Sequence, residues 1–357
     1  MIIPGSHTAV LILLVLGLLG WGMWANTFKL TGGKWRFELF CFDFALGMLL
    51  ASIVIAFTAG SLGFDGFAFT DDLVLAGKRQ DLYGFVAGMT FNLGNMLLLG
   101  AISVTGLAVA FPAAMGFALI MSILWRFALN QNGNPLVLLG GAALLAVAIV
   151  FDILNDQRRG TGIGLIQDKL TIPAADRVKA DAVPVKGKTK KHKIGYKGIL
   201  LSLFAGMVLG SYPPLVQLGR SGENGLGPYS FGFVFAVGVL ASTFVYNLFF
   251  MNLPVHGAPI DMGQYFRGRL GRHGLGLLGG ILWYTGLIAN LVAGKVDATA
   301  RVSGPVNYVL AQGGLVIAAL CGLFLWKEYG GADSSVKIRL GLMMFLLVAG
   351  IALLAVS

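Results

Sequence analysis

Apolar stretches of about twenty residues recur along almost the whole chain, and no other feature restricts its fold so strongly. At 1.5 Å of rise per residue, each is long enough to cross a bilayer core about 30 Å thick as one helix. Reading for such segments places helices at about 8–28, 37–59, 82–102, 106–129, 135–154, 196–217, 227–251, 273–293, 303–326 and 338–356. With 57% hydrophobic and 12% charged residues, little chain is left over for a soluble catalytic domain. The expected fold class is all-α: a polytopic membrane protein with ten transmembrane helices. No basic run precedes the first segment, while Lys29, Lys34 and Arg36 follow it. It therefore reads as a retained helix and not a cleaved signal, and Met1 as the true N-terminus.

Residues 155 to 197 hold eleven Lys or Arg against four Asp, with Gly, Thr and Pro interspersed. This polar stretch divides the chain into a first five-helix repeat (1–154), a basic linker loop (155–195) and a second five-helix repeat (196–357). The halves match at a nearly constant offset. Gly47 and Ser52 correspond to Gly238 and Ser242, Gly88 to Gly280, Gly94 to Gly286, and Pro112 to Pro305. Five helices per repeat is odd, so the second copy enters the membrane upside down, an arrangement typical of alternating-access transporters with a site between the repeats. Connections after odd-numbered helices carry 20 Lys or Arg and the others six. The positive-inside bias thus places the linker in the cytoplasm, at anionic lipid and not nucleic acid, with both termini outside the cell membrane.

Polar and aromatic residues enter these helices where lipid has no use for them. The run Trp21-Gly-Met-Trp24-Ala-Asn26-Thr-Phe-Lys29 ends the first helix. Asn92 and Asn95 lie three apart on one face of the third, and Pro112 interrupts the fourth. The second half repeats the pattern with Tyr212 before Pro213 and Pro214, with Trp283, Tyr284 and Asn290, and with Pro305, Asn307, Tyr308 and Gln312. First, third and fourth helices of both halves therefore carry the amides and rings expected around a small neutral polar solute. Asn92 and Asn95 are equally readable as amides that bond a neighbouring helix. Asp43 falls about 10 Å along its helix if that helix starts near Arg36, with Glu38 at the interface. A carboxylate at that depth is protonated, paired with Lys29 or Arg36, or a proton carrier.

Cys41 and Cys321 lack metal-ligand spacing, and His7, His192, His256 and His273 are scattered in or beside loops, where solvated rings are expected. No catalytic residue, metal or cofactor is expected. The string Ala182-Val-Pro-Val-Lys-Gly-Lys-Thr189 matches a relaxed nucleotide loop, but no strand and helix flank it, so it reads as a chance match.

The stretches WGMWANTFKL, WRFELFCFDF, FNLGN, GLAVAFP and GPVNYVLAQGG, with the terminal LWKEY, resemble the drug/metabolite transporter superfamily. Within it, the chain is similar to the branch of ureide permeases and glucose/rhamnose-type sugar uptake proteins. The resemblance implies a proton-coupled, or sodium-coupled, importer. Residues expected to hold the solute, a sugar or a ureide- or nucleobase-like compound, are Trp21, Trp24, Asn26, Asn92, Asn95, Tyr212, Tyr284, Asn307, Tyr308 and Gln312. Lys29, Asp43 and Glu38 are the coupling or gating candidates. A multidrug or metabolite exporter of the same superfamily is the alternative, and a membrane transferase a weaker one. The working unit is expected to be a monomer or homodimer.

Overall fold

The computed structural model describes residues 1–33, 35–129, 134–171 and 196–357. These residues are helical without strands, and ten of their helices are long and apolar enough to cross a membrane. In chain order they are span 1 (His7–Leu30), span 2 (Phe37–Phe57), span 3 (Lys78–Thr105), span 4 (Leu107–Ala128) and span 5 (Pro135–Asn155), then span 6 (Tyr196–Arg220), span 7 (Pro228–Asn252), span 8 (Leu270–Ala293), span 9 (Gly304–Leu325) and span 10 (Ser334–Ala355). Each lies within a few residues of its expected place. Span 5 begins a helix that continues to Thr171, past the expected boundary at 154. The rest of the expected linker, with the string from Ala182 to Thr189, lies outside the described residues.

Spans 2, 3, 4 and 8 form the centre and are 61–72% buried, whereas spans 5, 6 and 10 are 33% buried. The outward faces of the peripheral spans carry Leu136, Leu200, Phe345 and Val348, all exposed. Such a surface is at home only against hydrocarbon. The spans associate in a reciprocal pattern. Span 1 packs along span 8 as span 6 does along span 3, span 2 meets 8 as span 7 meets 3, and spans 1 and 9 meet as 6 and 4 do. Spans 2 and 7, 4 and 9, and 5 and 10 pair with each other.

The glycines matched in sequence lie at these contacts. A methyl group on Gly47 would collide with the backbone carbonyl of Leu277, and one on Gly280 with that of Phe44, where spans 2 and 8 cross. Gly238 and Gly88 make the same approach to the carbonyls of Phe85 and Phe235 where spans 7 and 3 cross. The obstacle is backbone, which cannot rotate away. Gly280→Ala is therefore expected to destabilise the protein by about 3 kcal/mol, the upper end for overpacking. An unchanged melting temperature in detergent would show that this crossing tolerates separation.

Two spans are broken. Span 6 divides into Tyr196–Leu209 and Tyr212–Arg220 because Pro213 and Pro214 have no N–H to continue the ladder and instead occupy the first turn of the second piece. Span 9 divides after Gln312 and ends in a π turn at Cys321–Leu325. Spans 3 and 4 are joined through Gly106 alone, at φ 92°, a conformation that side chains rarely adopt.

Candidate solute cavity

A central cavity of about 290 Å³ is walled by spans 1, 3, 4, 6, 8 and 9, the first, third and fourth of each half. Its deep end is formed by Trp24, Asn95 and Phe111, all buried, and its rim includes Leu129 and Gln217, both exposed. Rings dominate the wall. Trp283 stacks on Phe235 at 7° and 5.7 Å, its centroid is 3.9 Å from that of Phe91, and its carbonyl accepts a hydrogen bond from Trp21 Nε1 at 3.2 Å. Phe91 meets Tyr212 edge-on at 5.7 Å, and Trp24 lies 6.2 Å from Phe111.

Among these rings sits Asn95, 1% exposed, with neither its amide oxygen nor its nitrogen hydrogen-bonded among the described residues. An unmade pair of amide bonds is costly at a buried position, on the order of 1–3 kcal/mol per group. Tyr308 and Gln312 supply further polar atoms from span 9, with Ser122 and Arg126 from span 4. Spans 4 and 9 present equivalent positions across the cavity. Met115, Ala118, Leu119 and Ser122 correspond to Tyr308, Ala311, Gln312 and Leu315 at the offset of Pro112 and Pro305, and all eight line it. Among the described residues the lining has no carboxylate.

Of the ten expected solute residues, Trp21, Trp24, Asn95, Tyr212, Tyr308 and Gln312 line this cavity, and four do not. Asn92 donates to the Val239 carbonyl and to the hydroxyls of Ser242 and Thr243, at 2.9–3.1 Å, clasping span 3 to span 7. Tyr284 is fully buried with its hydroxyl against Gly232 of span 7. Its neighbour Trp283 faces the cavity instead, since adjacent helical residues project about 100° apart. Asn307 lines a second, smaller-walled space with Val10, Gly294 and Arg301. Asn26 accepts a hydrogen bond from Trp326 Nε1 at 2.7 Å.

Asn26 belongs to a plug beyond the deep end. One turn further, Lys29 pairs with Glu328 at 2.6 Å, and the same carboxylate accepts from the backbone N–H groups of Leu107 and Ala108 at 3.0 and 2.9 Å. Glu328 thus caps the start of span 4, where a carboxylate suits the helix dipole, while holding the end of span 1. Lys29 also lies 5.7 Å from the centre of the Trp326 ring. The expected options for Asp43 included a pairing with Lys29 or Arg36; the structure gives both cations other partners.

Asp43 is 2% exposed and bonds the Tyr265 hydroxyl at 2.7 Å and His273 Nδ1 at 2.9 and 3.0 Å. Burial and the adjacent Asp43 carboxylate push the Tyr265 phenol up, so it keeps its proton and donates. His273, at 19% side-chain exposure and packed edge-on against Trp35, is not the solvated ring expected from its place beside a loop. Glu38, fully buried, is held by Arg36 at 2.5 and 3.2 Å, and Arg36 also donates to the Ala258 carbonyl.

Ten apolar spans around a cavity with polar and aromatic walls make this a multi-pass membrane protein with the architecture of a transporter. The chain is similar to ureide permease 1 of Arabidopsis thaliana, 20% identical over 96% of this chain and 95% of the relative, and to ureide permease 2 of the same plant, 22% identical over 96% of both. Those relatives are named as permeases, and the near full-length similarity supports a membrane transporter. A protein of known crystal structure shares the fold, with a TM-score of 0.52 at 15% identity over 98% of this chain and 97% of the other. No family model matches the sequence.

Proposed function

We propose that the chain is a secondary-active importer of a small neutral polar solute bearing adjacent N–H and C=O groups, with ureide- and nucleobase-like compounds favoured over sugars. The observation that carries this reading is Asn95, an amide with both hydrogen-bonding atoms buried and unmatched beside the rings of a cavity. A planar amide-bearing solute satisfies both atoms at once and stacks on the surrounding rings. The names of the similar plant permeases agree. A lipophilic cation, the usual cargo of a multidrug exporter, would meet no carboxylate and one arginine, Arg126, among the described lining residues.

The halves act as inverted repeats that alternate access to this cavity, a reading supported by the reciprocal span contacts and the matched glycine crossings. By the charge bias, the plug at Lys29 faces the cytoplasm and the rim faces outside. Asp43 carries the coupling proton. Lys29 serves the inner gate, and Glu38 fixes the entry to span 2 through Arg36.

Counterflow in proteoliposomes tests the solute class. Preloaded cyclic ureides or nucleobases are expected to accelerate uptake of their labelled counterparts at least tenfold over hexoses. If hexoses exchange and the heterocycles do not, the amide-based reading of the cavity is wrong.

A further inference from the structure

The repeat offset that pairs Gly47 with Gly238 also pairs Asn26 with Gln217 and Lys29 with Arg220. Each first span of a half therefore ends in an amide followed three residues later by a cation, one turn apart on one helical face. The two copies stand at opposite ends of the cavity. Asn26 and Lys29 are engaged in the plug, bound to Trp326 and Glu328. Gln217 lies on the cavity rim, while Arg220 donates to the Leu291 carbonyl of span 8 at 3.0 Å, with no carboxylate in ion-pair range among the described residues.

We infer that Gln217 and Arg220 form the second gate, closing the rim when the plug at Asn26 and Lys29 opens. The inference rests on the alternating-access reading and assigns it two residues. The geometry fits. Tyr212–Arg220 is a separate short helix beyond the break of span 6, so it tilts without unwinding the buried part. The opposite wall of the rim is the last turn of span 4, with Trp125, Arg126 and Leu129. The backbone carbonyls of that turn are the negative end of the helix dipole and attract a guanidinium. Arg126 of that turn already donates to Ser357 at 3.2 Å. Lys29 reaches the start of span 4 through a carboxylate, and Arg220 would reach its end directly.

On this account, removing either cation destabilises the state in which its gate is shut, so the two losses oppose each other. A reporter cysteine at the cavity position Ser122, in a background with Cys41→Ala and Cys321→Ala, reads the rim through its labelling rate with a membrane-impermeant maleimide. Lys29→Met is expected to slow labelling about three- to tenfold, and adding Arg220→Met to restore it. Arg220→Lys, which keeps the charge, should restore nothing. Melting curves of each variant exclude unfolding as the cause of faster labelling. The inference is overturned if the double variant labels as slowly as Lys29→Met. If Lys29→Met itself leaves labelling unchanged, alternating access fails together with the gate assignment. Solute uptake enters neither readout, so failure of the substrate reading leaves this test intact.

Discussion

Replacing Asn95 by leucine is expected to abolish solute binding while leaving the empty protein as stable as before, or more so. The two effects have opposite signs because no hydrogen-bond partner for the Asn95 amide exists among the described residues. Its oxygen and nitrogen are buried without partners among the described residues, so a leucine, with the same branched shape, removes two desolvated polar groups and adds apolar surface beside Phe91 and Leu98 of the same wall. In the loaded protein the same amide is expected to make two hydrogen bonds shielded from water, together worth about 2–3 kcal/mol, or roughly 30- to 150-fold in affinity. Thermal shift reads both quantities: the melting temperature without solute should hold or rise, and the increase on adding solute should vanish. Asn92→Leu serves as the contrast. Its amide bonds three acceptors on span 7, so its loss should lower the melting temperature with the cavity wall unchanged in composition. A clear fall in the stability of empty Asn95→Leu would mean that the amide is structural and the cavity reading mistaken.

These two asparagines also mark where sequence stops being informative. Spacing placed both on one face of span 3, yet three residues advance a helix by about 300° and a helix height of about 4.5 Å, enough to turn one amide to span 7 and the other to the cavity. The same ambiguity exchanged Trp283 for Tyr284. Spans and their breaks were legible because hydrocarbon thickness and missing proline N–H groups act locally. Matched glycines were legible because a carbonyl in contact tolerates no side chain. Long-range pairs were not. Lys29 meets Glu328 and Asp43 meets His273 across some 300 and 230 residues, and neither spacing nor hydropathy encodes such partners. One signal was available and unused: Gln217 and Arg220 repeat Asn26 and Lys29 at the glycine offset.

The second large effect concerns Asp43. Asp43→Asn is expected to abolish accumulation driven by a pH gradient and to spare solute exchange. The substitution keeps shape and an oxygen that can accept from Tyr265 and His273, so the junction of spans 2 and 8 should persist. It removes the group proposed to carry the proton. Asp43 does not touch the cavity, but the next residue, Phe44, lies 5.3 Å from the ring of Trp24, which does, and Gly276 of span 8 packs against the Asp43 side chain. A change at Asp43 therefore reaches the wall by moving span 8 on span 2, where Gly47 and Gly280 bring the backbones of the two halves together. A gradient of one pH unit supplies about 1.4 kcal/mol per proton, or about tenfold accumulation with one-to-one coupling. In proteoliposomes this ratio should fall to about one in Asp43→Asn, with counterflow within about twofold of the parent. His273→Gln, which leaves the carboxylate but removes its titratable neighbour, should retain accumulation and shift its pH dependence. If Asp43→Asn concentrates solute as well as the parent does, the proton travels elsewhere, and the Asp43, His273 and Tyr265 cluster is a structural tie between spans 2 and 8.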